Sequence, residues 1–247
     1  MPKLELTVLW RDKDLVAIDK PAGIAVIPGR AETTSVLEVL ATQLGIPWTG
    51  TADPRLRVVH RIDKDTSGVL LFALNIQAQR HLSNQFQNNL IEKEYLALSR
   101  GRPGGESGTI NAPLAPHATS RDRMSITKHG RPALTEWKVE KAFRKSTLFR
   151  IFPKTGKTHQ IRVHLLSIGH PLLIDPLYNQ LSGPVLLSQI KRDYRPNPGQ
   201  EERPLMARLT LHAEKLRFQN VEGSKIEVVS PLPRDFKALL NQLGKLG

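Results

Sequence analysis

A chain of 247 residues, 39% hydrophobic and 24% charged, is long enough to bury a substantial core as one large domain or two fused subdomains, and its composition is globular. It contains no cysteine, which removes disulfides, thiolate catalysis and cysteine-bound zinc. Its 36 Lys and Arg against 23 Asp and Glu give a formal net charge of +13, unevenly placed: residues 1–53 carry 5 basic and 7 acidic side chains, residues 54–247 carry 31 and 16. A field of that sign attracts polyanions, with simple solubility by surface charge as the alternative reading. Aromatic residues make up only 5%, too few for a stacking stripe, so binding to nucleic acid would rest on phosphate contacts and a pocket. No apolar run approaches the roughly 18 residues that span a bilayer, and the opening stretch MPKLELTVLW lacks a secretory pattern. A cytoplasmic location without membrane association is expected.

In chain order, residues 6–10 and 15–19 are short apolar runs separated by Arg11-Asp12-Lys13-Asp14, the pattern of a β-hairpin. Ser35 and Glu38 have capping-box spacing, Val36, Leu37, Leu40 and Leu44 follow at helical spacing, and Gly45 is a stop. Residues 46–57, with Pro47, Gly50 and Pro54, read as loop. The continuous run Val69 to Leu74 predicts a buried strand, and Asn75 caps a helix that presents Leu82, Phe86 and Leu90. Residues 93–99 predict a strand with Tyr95 and Ala97 on one face, Leu96 and Leu98 on the other. A Gly/Pro-rich stretch begins at 101, and strands are expected at 133–139 and 147–152. A helix from Thr158 turns Ile161, Leu165 and Ile168 inward and stops at Gly169. Residues 178–205 are the least regular and read as a surface insertion. Strands at 209–218 and 225–229 and a helix from about Asp235 complete the chain. Without regular βαβ alternation, this order favours an α+β fold.

Two segments are dense in reactive side chains. The first, His60-Arg61-Ile62-Asp63-Lys64-Asp65-Thr66-Ser67-Gly68, is a charged loop held between apolar strands, a place where scaffolds carry function; a solvated turn is the bland alternative. The second runs from Thr155 to His170. Its Gly156-Lys157-Thr158 looks like the end of a phosphate-binding loop, but the upstream glycine of that motif is missing. Lys157 at a helix start remains a candidate for an RNA phosphate. His159 and His164 are five apart, about 140° around a helix, so they share no face for a metal, and none is expected.

HRIDKDTSGVLLFALN (60–75), KEYLAL (93–98) and GKTHQIRVHLLSIGHPLLIDPLY (156–178), with the opening LVAIDKPAGIAVIPG and the later RLTLHAEKLRF, closely resemble the RluA-type pseudouridine synthase family. The matches come in family order over roughly residues 15–235. The resemblance implies a mixed, mostly antiparallel sheet flanked by helices and loops, and an enzyme that isomerises uridines of structured ribosomal or transfer RNA. It assigns Asp63 as the catalytic aspartate, Tyr95 as the tyrosine against the target base, Arg162 as the basic partner of the aspartate and Arg61 as the residue that helps extrude the nucleotide. Few residues precede the first strand, so the small N-terminal RNA-binding module of many relatives is expected to be missing. RNA contacts are then expected from His60 and Lys157 and from the insertion, through Lys191, Arg192 and Arg195.

Breaking the uracil–ribose bond, turning the base and rejoining it through a ring carbon changes neither atoms nor redox state, so no cofactor is expected. A carboxylate can serve as nucleophile or through electrostatics and proton transfer, and the sequence leaves both open. A non-catalytic RNA-binding protein would account for the charge but not for Asp63, Tyr95 and Arg162 together. A base-excising glycosylase would share the carboxylate but release free uracil. A monomer is expected, without an obligate protein partner.

Overall fold

The computed structural model describes residues 4–29, 34–47, 55–191, 194–195, 199 and 201–245. Its elements are β1 (Thr7–Arg11), β2 (Leu15–Lys20), α1 (Val36–Gln43), β3 (Arg57–Val58), β4 (Ser67–Ala73), α2 (Ile76–Gln87), β5 (Glu92–Arg100), β6 (Ser107–Asn111), β7 (Leu114–Pro116), β8 (Met124–Ile126), β9 (Leu134–Ala142), β10 (Ser146–Pro153), α3 (Gln160–Ser167), the single turn α4 (Leu187–Ile190), β11 (Leu211–Gln219), β12 (Lys225–Val229) and α5 (Arg234–Gly244). Within each unit the described pairings are antiparallel apart from β4 with β11, which gives the mixed, mostly antiparallel α+β fold expected from the sequence. Among the described residues no helix is long and apolar enough to cross a membrane. The chain divides into two compact units, Met1–Glu94 with His212–Pro231, and Tyr95–Leu211 with Leu232–Gly247.

In the first unit β1, β2 and β4 pair in that order, β3 adds to β4, and β11 lies parallel to β4 and carries β12. Every residue of β4 is buried because both faces are covered. Val69, Leu71 and Ala73 pack with Leu15, Ala17 and, from α2, Ala78 and Leu82. Leu70 and Phe72 point the other way and pack with Val16, Ile18 and, from α1, Val36, Leu37 and Leu40. Each Val, Leu, Ile or Phe side chain among these, fully withdrawn from water, contributes about 1.5–3 kcal/mol. The helices start where their caps allow: Ser35 Oγ accepts from Glu38 N–H at 3.3 Å, and Asn75 Oδ1 from Ala78 N–H at 2.8 Å. Leu90 corrects the sequence reading. α2 ends at Gln87, Asn89 turns the chain with φ 54°, Leu90 is left 63% exposed and Ile91 takes the core position. Asn visits this left-handed region more readily than most side chains.

The second unit repeats the plan of a sheet with a helix on each face. β10 lies between β5 and β9, with β6 outside β9. Leu96, Leu98 and Leu148 pack with Phe236 and Leu239 of α5. Ala97, Phe149 and Ile151 pack with Ile161 and Leu165 of α3, beside Tyr95. The alternation read from residues 93–99 therefore holds. β7 and β8 form a separate two-stranded sheet. The surface insertion placed at 178–205 needs correction at its start. Tyr178 and Asn179 are buried, and Asn179 Nδ2 donates to Leu172 O at 2.9 Å, so exposed chain begins at Gln180. The segment also contains α4 and is tied back by a bridge between Val185 and Met206. Arg192, Gly50 and Pro54 lie outside the described residues.

Candidate active site

The first unit holds the charged loop in place from several sides. Asp63, half-buried, opens a turn in which its carbonyl accepts from Thr66 N–H at 3.1 Å. The next carbonyl, that of Lys64, accepts from Gly23 N–H at 3.0 Å and from Lys20 Nζ at 2.8 Å. Lys20 is fully buried, and its ammonium also donates to the carbonyls of Pro21 and Ile24 at 2.7 and 2.8 Å. A buried ammonium is tolerable only with such partners. It therefore ties the Lys-Pro-Ala-Gly turn after β2 to the peptide next to Asp63.

The far end of the loop is fastened by a buried chain of hydrogen bonds. His212 Nε2–H donates to Ser230 O at 3.2 Å, which leaves Nδ1 to accept from the Ser67 hydroxyl at 3.0 Å, and Ser230 Oγ donates to Asp19 Oδ1 at 2.8 Å. Parallel pairing of Ser67 with His212 and Gly68 with Ala213 brings the backbones very close. A Cβ on Gly68 would meet Ala213 backbone atoms at 2.1–2.7 Å, and Gly68 has φ 121°. Glycine is required here on both counts.

His60, expected to contact RNA, also has a structural task. Its Nε2 accepts the Leu71 N–H at 2.9 Å and its ring stacks on Phe86 at 4.6 Å. Burial, with a smaller push from Lys93, lowers its pKa from 6.5 to about 3. The ring therefore braces the loop against β4 through Nε2, and its Nδ1–H remains a neutral donor for the RNA contact expected of it. Arg61 is exposed, two residues before Asp63.

In the second unit Arg162 is the centre of a buried cluster. Asp175, 1% exposed, accepts from Arg162 Nε at 2.8 Å and Nη2 at 2.7 Å, a two-pronged pair that fixes the plane of the guanidinium. Asp175 Oδ1 also accepts from Leu177 and Tyr178 N–H, both at 3.1 Å, so the Asp-Pro-Leu-Tyr turn shapes itself around the same carboxylate. That turn sets the Tyr178 ring 4.9 Å from the Arg162 guanidinium carbon, and Arg123 approaches the ring at 5.3 Å. Tyr178 Oη accepts from Met124 N–H at 2.7 Å and donates to His159 Nδ1 at 2.8 Å, in keeping with a phenol pushed up in pKa by burial. His159 stands in the left-handed region, φ 53°, just before α3. Asp175, Tyr178, His159 and Arg123 were not singled out as site residues from sequence, although IDPLY and THQ lie inside quoted motifs.

The remaining expected residues are dispersed. Tyr95 is half-buried at the start of the second unit and pairs with Ile151 of β10. Lys157 is half-buried, and its N–H donates to Gln160 Oε1 at 3.0 Å. Lys191 and Arg195 are exposed. His164 and His170 are occupied separately from His159: His164 bonds to Thr135 Oγ1 and donates to Ala112 O, and His170 donates to Arg100 O.

The first unit thus carries a firmly seated carboxylate loop and the second a buried arginine cluster, in a chain of strongly basic charge. Residues 14–167 match the family model described as RNA pseudouridylate synthase. The chain is 38% identical over 245 residues to Ribosomal large subunit pseudouridine synthase D of Nitrosomonas europaea, covering 98% of this chain and 67% of that protein. It is 35% identical over 246 residues to the protein of the same name from Haemophilus ducreyi, covering 97% and 71%. The solved structure of human RNA pseudouridylate synthase domain containing 4 aligns with a TM-score of 0.72 at 27% identity, over 96% of this chain and 93% of that one. That of human RNA pseudouridylate synthase domain containing 1 aligns with a TM-score of 0.69 at 27% identity, over 93% and 84%. The chain belongs to the RNA pseudouridylate synthase family and is an isomerase.

Proposed function

We propose that this protein converts uridines of large-subunit ribosomal RNA to pseudouridine, with Asp63 as the catalytic carboxylate. The ribosomal substrate is taken from the two relatives above, whose names specify the large subunit. The observation that carries the assignment of Asp63 is its seating: the peptide that follows it is held by Lys20 and Gly23, and the loop's far end by His212. Such anchoring through backbone carbonyls keeps the carboxylate loop at a fixed position, as a group that must act on a bound substrate requires. The family resemblance supports the remaining roles, Tyr95 against the target base, Arg162 as the basic residue of the site and Arg61 in the stack after the uridine has flipped out, a step costing a few kcal/mol. Asp175 and Tyr178 hold Arg162 in its working orientation.

The test uses a large-subunit ribosomal RNA transcript carrying tritium at C5 of uracil. Rejoining the base through that carbon releases the label. Wild-type protein should release it, and a transfer RNA transcript run in parallel reads the substrate preference. Asp63→Asn should lower the rate about 10³-fold or more with RNA affinity within a few-fold. Substantial turnover by Asp63→Asn removes the assignment, and release of free uracil instead of isomerised product would make the protein a glycosylase.

A further inference from the structure

The second unit contains a cavity of about 560 Å³, within the range of roughly 300–1,000 Å³ typical of small-ligand pockets. The end of β5, the β9–β10 turn and the chain after Asn179 build it. Tyr95 and Arg100 stand five residues apart on β5, about 17 Å at a rise of about 3.3 Å per residue. The cavity is thus at the opposite end of that strand from the residue assigned to the target base. Arg100, Arg144 and Lys145 contribute to its lining and, among the described residues, no acidic side chain does. Phe143 and Leu173 supply apolar wall, and Leu181, 78% exposed, adds an apolar side chain open to solvent.

Two lining residues carry buried polar atoms that have no hydrogen-bond partner among the described residues, Arg100 Nε and Ser182 Oγ. The Arg100 guanidinium is already fixed, because Nη2 donates to Leu181 O at 2.7 Å. Leaving a buried polar group unmade costs about 1–3 kcal/mol. The exposed surface of the cavity is a cationic turn beside apolar walls, which matches a ligand with a flat apolar body and negative charge.

We propose that this cavity is a second nucleotide-binding site that takes an unstacked nucleotide of the substrate RNA, remote from the uridine that reacts. The base enters between the apolar walls of Phe143 and Leu173, and the phosphate meets Arg144 and Lys145. Those two cations are exposed on the hairpin turn rather than enclosed, the arrangement for a backbone that continues past the pocket. This rests on the reading of the protein as an enzyme of large RNA, and it gives residues 180–190 a part in choosing that RNA.

The double variant Arg144→Ala, Lys145→Ala alters exposed side chains only, and an unchanged unfolding midpoint checks that the fold is kept. On the tritiated ribosomal transcript its KM should rise about 5- to 10-fold with kcat within twofold, and its log–log salt slope should shrink by about 1 to 2. A transcript containing 4-thiouridine should photo-crosslink to the 180–190 peptide of the wild type and not of the double variant. An unmoved KM, or crosslinks that avoid this peptide, overturns the proposal. So does binding of free uridine 5′-monophosphate at the cavity with RNA kinetics unaffected, which would make it a site for a free nucleotide. Tritium release by the wild type in the same reactions separates the two readings: its absence removes the proposed function, while its presence with an unmoved KM removes only the second site.

Discussion

His60 shows how one side chain couples loop geometry to acidity. In the unfolded chain its imidazole takes a proton near pH 6.5; in the folded protein burial defers this to about 3. Between those values the unfolded state binds more protons, so stability is complete above about 6.5 and is lost as the pH falls toward 3, at up to about 1.4 kcal/mol per unit. His164 is lowered in the same direction, chiefly by burial, and adds to the slope. His60→Gln keeps an acceptor for Leu71 N–H but does not titrate. Urea unfolding at pH 7.5 and 5 should therefore show a smaller acid loss in the variant, and parallel losses would refute the burial argument. Asp175 shows a different dependence, that of a buried carboxylate on its two-pronged partner Arg162. Asp175→Asn should cost about 3–5 kcal/mol by denaturant unfolding, because it leaves the Arg162 charge buried without its carboxylate. Arg162→Met with Asp175→Leu should regain part of that stability while leaving the enzyme inactive.

At the scale of elements, the contact between β4 and β11 has the least tolerance. Gly68→Ala places a methyl on the Ala213 backbone and in an unfavourable φ, so a loss of about 3 kcal/mol or more is expected in thermal unfolding. A fall below 1 kcal/mol would mean that the strands part more easily than their spacing indicates. The strands around this contact were legible in the sequence because their signals are local: an unbroken apolar run for β4, Asn75 and Ser35 for the helix starts, strict alternation for β5. β6, β7 and β8 were not. Ser107–Asn111 has one buried residue, Leu114–Pro116 and Met124–Ile126 are three residues each, and β6 exists through pairing with β9, almost thirty residues away. The site divides in the same way. Asp63, Tyr95 and Arg162 stood inside recognisable motifs, whereas Asp175 and Tyr178 acquire their tasks only when a turn brings them to Arg162. The task of His60 within the fold was not legible either, because nothing local announces that Leu71 N–H needs an acceptor.

For the whole molecule, the excess of cations over residues 54–247 sets how it meets RNA. Affinity for the ribosomal transcript should fall with salt with a log–log slope of magnitude about three or more, and a flat response would point to shape or apolar contact instead. The division of the chain has a consequence for its birth on the ribosome. Domains ordinarily fold in the order in which they are synthesised. Here the N-terminal unit needs His212–Pro231 for its parallel strand β11 and for the His212 and Ser230 links behind the Asp63 loop. At about 5–20 residues per second, translation of residues 95–211 separates the two halves by roughly ten seconds. For that interval the nascent chain carries β4 with its β11 side unpaired, an open edge of the kind that invites mispairing. The segment that will complete the carboxylate loop has not yet been made.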